Sequence, residues 1–248
     1  MRLDKFLAST GRLTRSQAAK AARAGEISVC GEIVRAPDRH IDPEVDEIAW
    51  RGELLTYRRF TYVLLNKPDG YVSATEDGRD PTVLELLPDE LQRQALFPCG
   101  RLDKHTLGLM LLTNNGPLAH RLLAPKSHVT KTYAFTLRDP LDPEEAVRLE
   151  KGVWLEDGAG ERYMTKPCTI TLEAGCTAGT VVLTEGKYHQ VKRLFEEAGN
   201  KVVTLERTTF AGLTLETIPE RGQWRYLTAE EEQALLAHAG LSSLSQKV

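Results

Sequence analysis

The chain has 248 residues, 41% of them hydrophobic and 27% charged, with a formal net charge of −3. That composition describes a globular protein of one large domain, or a large and a small one. It holds no apolar run long enough to cross a bilayer, and Met1–Phe6 lacks the apolar core of a signal peptide.

The N-terminal segment reads as two short helices and a hairpin. Leu3, Phe6 and Leu7 fall at helical spacing, with Gly11 as a terminator. Thr14 and Gln17 form a capping box for a second helix that stops at Gly25. Ile27–Val29, the turn Cys30-Gly31 and Glu32–Val34 then give a hairpin signal. This region concentrates positive charge: Arg2, Lys5, Arg12, Arg15, Lys20 and Arg23 stand against the single acid Asp4, whereas Asp38–Glu53 is mostly acidic. At about 100° per residue, Arg15, Lys20 and Arg23 share roughly 140° of helical arc and can face one partner. Such asymmetry is expected of an RNA-binding module joined to a neutral enzyme, although a solvated helix face gives the same count.

A linker is expected around Arg51–Arg59. Tyr62–Leu65 reads as a strand, Asn66–Gly70 as a turn, and Tyr71–Ala74 as a continuation of the sheet. Further strands are predicted at Leu109–Thr113, Thr132–Leu137, Thr169–Leu172, Val181–Thr184, Val202–Glu206 and Leu213–Leu215. Helices are predicted at Pro117–Leu123, Pro143–Lys151, Gln190–Ala198 and Ala229–Ala237, the last opened by a Thr228/Glu231 capping box. Strands interspersed with a few helices, without regular βαβ alternation, predict an α+β fold. The boundaries follow as 1–58, 59–238 and a Ser-rich frayed tail at 239–248. The cysteines (Cys30, Cys99, Cys168 and Cys176) form no CxxC pair, so neither a zinc site nor a redox motif is indicated, and a cytoplasmic protein with reduced thiols is expected.

The chemistry centres on Gly100-Arg101-Leu102-Asp103-Lys104-His105-Thr106-Leu107, which places one carboxylate beside an arginine and before a buried strand. Taken alone, Asp103 is a loop acid of the kind that usually caps a turn or pairs with a neighbour. The string GRLDKHTLGLMLLTNNG, however, resembles the active-site motif of pseudouridine synthases, in the branch that modifies ribosomal RNA, and LLNKPDGYVSATED resembles the strand and loop that open their catalytic domain. RLDKFLA followed by the basic capped helix and V-x-G-x-x-V resembles the small RNA-binding domain named after ribosomal protein S-four. The resemblance covers nearly the whole chain. It implies a mixed, largely antiparallel sheet behind an α/β-hairpin RNA-binding domain, and it departs from the common pattern at His105 and at Asn114-Asn115-Gly116.

The resemblance makes Asp103 the catalytic carboxylate. Isomerising uridine to pseudouridine breaks the bond between ribose and a ring nitrogen and rejoins the base through carbon. Nothing is added or removed, so no cofactor or metal is implied. A carboxylate can stabilise or trap the positive charge that develops on the sugar. The segment Glu185–Phe195 resembles the family motif that supplies a cation. On the wheel of its helix Lys192 flanks the apolar stripe and Arg193 points away, which favours Lys192 as the partner of Asp103 and Arg193 as an RNA-phosphate contact; the bland alternative pairs Lys192 with Glu196. Tyr133 matches the family's K-x-Y tyrosine, implying a ring stacked on the flipped uracil, while strand periodicity alone puts it in the core. Arg101 is expected to fill the vacated stack or hold a phosphate, and His189 to contact RNA, as do Arg2, Lys5, Arg15, Lys20 and Arg23.

The expected partner is ribosomal RNA or the pre-ribosomal small subunit, with the protein a monomer and no membrane involved. The PDGYVSATEDGRDPTVLELLP stretch resembles the small-subunit branch more than the large-subunit one. A large-subunit rRNA enzyme and a non-catalytic RNA-binding assembly factor are the alternatives. A glycoside hydrolase would need a second positioned carboxylate, and Glu185 is the only acid near a motif.

Overall fold

A computed structural model describes residues 1–241. The chain divides into two compact units: Met1–Thr61 joined by Leu84–Phe97, and Tyr62–Val83 joined by the chain from Pro98 onward.

In the first unit, helices α1 (Leu3–Ser9) and α2 (Arg15–Ala24) precede strands β1 (Ile27–Val29), β2 (Glu32–Ile33), β3 (Ile48–Trp50) and β4 (Glu53–Leu54). The Thr14/Gln17 capping box forms in both directions. The strands make an antiparallel sheet in the order β2-β1-β3-β4. Its two hairpin turns, Cys30-Gly31 and Arg51-Gly52, both use two positive φ angles, the geometry that matches strand twist. Only the first was legible. Arg51-Gly52, expected to open a linker, is instead a hairpin turn whose Arg51 pairs with Glu26 at 3.0 Å.

The boundary near residue 58 misses the return of the chain. Residues 84–97, including helix α3 (Asp89–Gln92), belong to this unit. Leu87, Leu91 and Leu96 are buried, and the Gln94 amide donates to the Thr10 carbonyl at 3.1 Å while its oxygen accepts from the Thr61 hydroxyl. The apolar spacing of this segment matches a short helix, but nothing local says which core it joins.

The second unit is built on a nine-stranded sheet. Its strands are β5 (Tyr62–Lys67), the two-residue β6 (Phe97–Pro98), β7 (Leu107–Thr113), β8 (Lys131–Leu137), β11 (Thr169–Leu172), β12 (Ala178–Leu183), β13 (Val202–Phe210), β14 (Leu213–Thr214) and β15 (Trp224–Tyr226). The principal order is β11-β12-β8-β13-β7-β5-β15, antiparallel throughout except for β13 beside β7. This is the expected α+β fold with a mixed, largely antiparallel sheet. A separate hairpin, β9 (Trp154–Glu156) with β10 (Arg162–Met164), stands outside the sheet. Helices α4 (Gly116–Leu123), α5 (Pro143–Glu150), α6 (Gln190–Glu197) and α7 (Ala229–His238) complete the unit.

The parallel pair depends on Gly108. Its φ is +99°, and a Cβ there would lie 2.3 Å from the Arg207 carbonyl oxygen, so β7 and β13 could not approach as they do with any other residue. Two expectations around β5 fail. Asn66 and Lys67 are not a turn but the buried end of the strand. Tyr71–Ala74 does not extend the sheet; Val72 alone forms a bridge, with Thr82. At the other end, Arg121 bonds the carbonyls of Ala239 and Gly240, and Leu241 is buried, so the start of the expected tail is tied down. Residues 242–248 of that tail lie outside the described residues. Among the described residues no helix is long and apolar enough to cross a membrane.

Candidate active site

The sheet exposes a cleft where the loop before β7, the inner face of β8, the end of β12 and the start of α6 converge. Arg101, Asp103, Thr106, Tyr133, Glu185, Lys187, His189 and Lys192 all line it. Tyr133 reaches it because β8 alternates strictly, with Lys131, Tyr133, Phe135 and Leu137 inward. Phe135 in turn meets Phe195 of α6, ring centroids 4.5 Å apart, which seats the helix on the strand.

Seated there, α6 directs Lys192 at the loop acid. Its ammonium donates to Asp103 Oδ2 at 2.9 Å, across 89 residues of sequence, and not to Glu196. His189 Nε2 lies 3.4 Å from Asp103 Oδ1, and the Thr106 hydroxyl lies 3.4 Å from Oδ2. The Asp103 and Lys192 side chains remain 30% and 27% exposed, so solvent screens their attraction and the pair contributes little to stability. Its value is positional: a carboxylate held at the edge of an accessible cleft.

Lys67, which the sequence reading passed over, supports this loop from beneath. It is fully buried, and its ammonium donates to the carbonyls of Pro68, Lys104 and Thr106 at 3.1, 3.0 and 2.8 Å. Desolvation pushes its pKa down to about 8, against the attraction of Asp69 and Asp103. The only sequence signal was a lysine at the end of an apolar run, which the following Pro-Asp-Gly made look like a turn.

Two further buried cations, Arg207 and Lys131, lie on the inner face of the sheet. Arg207 faces Tyr133 across β13 and β8 and donates to the Leu109 carbonyl at 2.8 Å. Lys131 donates to the Val129 carbonyl, and burial lowers its pKa to about 8. Both cations lie over the Phe210 ring, at 4.8 Å for Arg207 and 5.8 Å for Lys131.

The remaining expected residues fall as follows. Arg101 lines the cleft, exposed and without a hydrogen bond or ion pair among the described residues. His189 has φ +50°, an unusual conformation for a side-chain-bearing residue, and its ring stacks on Tyr188 at 3.9 Å. Arg193 points away from Asp103, donates to the Glu156 carbonyl and lies 5.0 Å over Tyr188. His105 is outside the cleft, bonded to Asp69 at 2.9 Å, which holds that carboxyl below its usual range. Glu185, Gln190 and Thr106 were also missed as cleft supports. Glu185 Oε1 accepts from both the Lys166 backbone and the Gln190 side chain, tying the foot of β10 to the start of α6.

In the first unit, Arg2 and Arg15 gather around the buried Asp4 at 2.9 and 3.5 Å, and the Arg2 hydrogen bond keeps that carboxyl's pKa low. Lys5, Lys20 and Arg23 are exposed. No group of three or more His, Cys, Asp or Glu among the described residues is placed to hold a metal.

Residues 61–197 match the RNA pseudouridylate synthase family model, and residues 1–46 match the S4 domain. The chain is 43% identical over 234 residues to an uncharacterised RNA pseudouridine synthase of Bacillus subtilis, covering 93% of this chain and 96% of that one. It is 40% identical over 232 residues to ribosomal small subunit pseudouridine synthase A of Escherichia coli, covering 93% and 98%. A crystal structure of a pseudouridylate synthase superposes with a TM-score of 0.65 at 40% identity, over 95% of this chain and 99% of the other. The chain is therefore an isomerase of the RNA pseudouridylate synthase family, with an S4 domain at its N-terminus.

Proposed function

We propose that this enzyme isomerises a uridine of small-subunit ribosomal RNA, with Asp103 as its catalytic carboxylate. The observation that carries the assignment is the Lys192–Asp103 contact at 2.9 Å on a cleft that Tyr133 and Arg101 also line. The ammonium holds the carboxylate in place at the cleft, where it can meet the positive charge growing on ribose as the glycosidic bond breaks. Tyr133 offers the uracil a stacking surface while the base turns. Arg101, free at the cleft mouth, and the unused donors of Arg193 take phosphate oxygens. The basic face of α2, with Arg15, Lys20 and Arg23, and the nearby Arg2 and Lys5 hold structured RNA by shape and phosphate contact.

The small-subunit substrate is supported by the names of the relatives from Escherichia coli and Haemophilus influenzae, both matched over nearly their full length. Pseudouridine mapping of ribosomal RNA from cells lacking the protein tests it. One small-subunit uridine is expected to stay unmodified. A missing large-subunit pseudouridine would move the substrate, and an unchanged map would reject the assignment.

A further inference from the structure

The β9–β10 hairpin presents two unlike faces. Inward, Leu155 is buried and Tyr163 lies beneath the Lys187 ammonium, 5.3 Å from its ring centroid. Outward, Trp154 and Met164 are a directly opposed cross-strand pair, 53% and 49% exposed, and the Arg162 guanidinium sits 5.7 Å over the indole. The inward face already supplies the apolar contact that holds so short a hairpin in place. An exposed tryptophan on the other face therefore contributes nothing to the core, and a large apolar side chain in water is an informative exception.

The hairpin stands beside the cleft. The hairpin is fastened to the cleft wall by the Glu156 carbonyl accepting from Arg193, by Lys187 over Tyr163, and by the Lys166 backbone bonded to Glu185. Lys187 and Glu185 both line the cleft. At the tip, Gly158 lies against the Tyr188 ring, where a Cβ would stand 3.2 Å from Cδ1. The charges select among modes of RNA contact. Glu156 lies opposite Arg162, and Asp157 and Glu161 flank the turn, a poor setting for phosphates, so the contact this face favours is with a base rather than with the backbone. A flat indole with a guanidinium over it suits the face of a single base.

We propose that Trp154, with Met164 and Arg162, is a docking surface for an unpaired base flanking the target uridine. The proposal rests on the RNA-modifying reading above and adds to it a specificity surface outside the catalytic cleft. Trp154 stacks on the base, with Arg162 held beside the indole.

The test compares wild type, Trp154→Ala and Trp154→Phe in two assays. The first measures binding of an oligouridylate of roughly ten nucleotides and of an abasic oligomer of equal length. The second measures turnover of an unmodified small-subunit rRNA transcript. Trp154→Ala should weaken oligouridylate binding roughly ten-fold, leave abasic-oligomer binding unchanged, and raise KM by a similar factor with kcat retained. Trp154→Phe should recover most of the loss. Equal oligouridylate affinity in wild type and Trp154→Ala would overturn the proposal. So would an equal loss for the abasic oligomer. If wild type leaves the transcript unmodified, the substrate assignment fails while the oligonucleotide comparison still decides the role of Trp154.

Discussion

The two units handle positive charge in opposite ways. In the first, cations lie at the surface and either pair with acids, as Arg12 does with Glu53 and Arg51 with Glu26, or stand in solvent, as Lys20 and Arg23 do. In the second, Lys67, Lys131 and Arg207 are buried, and among the described residues they meet backbone carbonyls and a ring, with no carboxylate in ion-pair range. Exposed charge acts at a distance and is screened by salt, so it suits the capture of a polyanion. Buried charge on carbonyls cannot be screened and fixes local geometry, at the cost of desolvation. Lys192 lies between these cases: it is partly exposed, yet committed to one acid.

That contrast can be broken at four places. The largest effect is expected at Asp103→Asn, which should reduce isomerisation at least roughly 10³-fold at every salt concentration while RNA affinity stays near wild type. A comparable loss of affinity would mean that the cleft, too, works by capture. Next, Lys192→Met should lower kcat about 10²-fold, in the range of a lost preorganised charge contact. Arg193→Met, whose guanidinium faces Glu156 and Tyr188, should act mainly on KM; the reverse ranking would reassign the cation. Third, Arg15→Ala with Lys20→Ala should flatten the plot of log affinity against log salt by roughly 1.5 and leave kcat alone. An unaltered slope would remove the basic helix from RNA binding.

The smallest effect concerns pH and stability. Lys67 titrates near 8 in the fold and near 10.5 when unfolded, so between those values the unfolded chain binds more protons. Its contribution makes stability rise with pH across that window. Cys99, pushed up to about 12 by burial, contributes with the opposite sign above pH 9, because the unfolded thiol ionises first. The difference between wild type and Lys67→Met isolates the lysine. Urea midpoints from pH 7 to 10.5 should converge at the acid end and diverge in favour of wild type at the alkaline end. Parallel midpoints would show that Lys67 keeps its proton throughout.

Much of the fold could be read locally because its signals were local. The capping boxes at Thr14 and Thr228 need only a residue and its third neighbour, and β8 carries its alternation within seven residues. The Lys192–Asp103 pairing was reachable only through the family resemblance, which called for a cation beside Asp103; the helical wheel then separates Lys192 from Arg193, but alone it leaves Glu196 as the better partner. The missed features depend on tertiary contact. Lys67 is a ligand of carbonyls 37 and 39 residues away, and nothing near it marks that role. The β9–β10 hairpin lies in a short stretch of mixed charge with glycine at its tip, where neither period has room to appear. Residues 84–97 join the first core only through distant partners such as Thr10.

The parallel pairing of β13 with β7 also sets an order on synthesis. The cleft draws on residues spread from Arg101 to Leu205, and β7 gains its inner neighbour only when β13 emerges about a hundred residues after it. The first unit, by contrast, holds all its segments once residue 97 has been made. During translation the first unit can therefore be complete well before the cleft is.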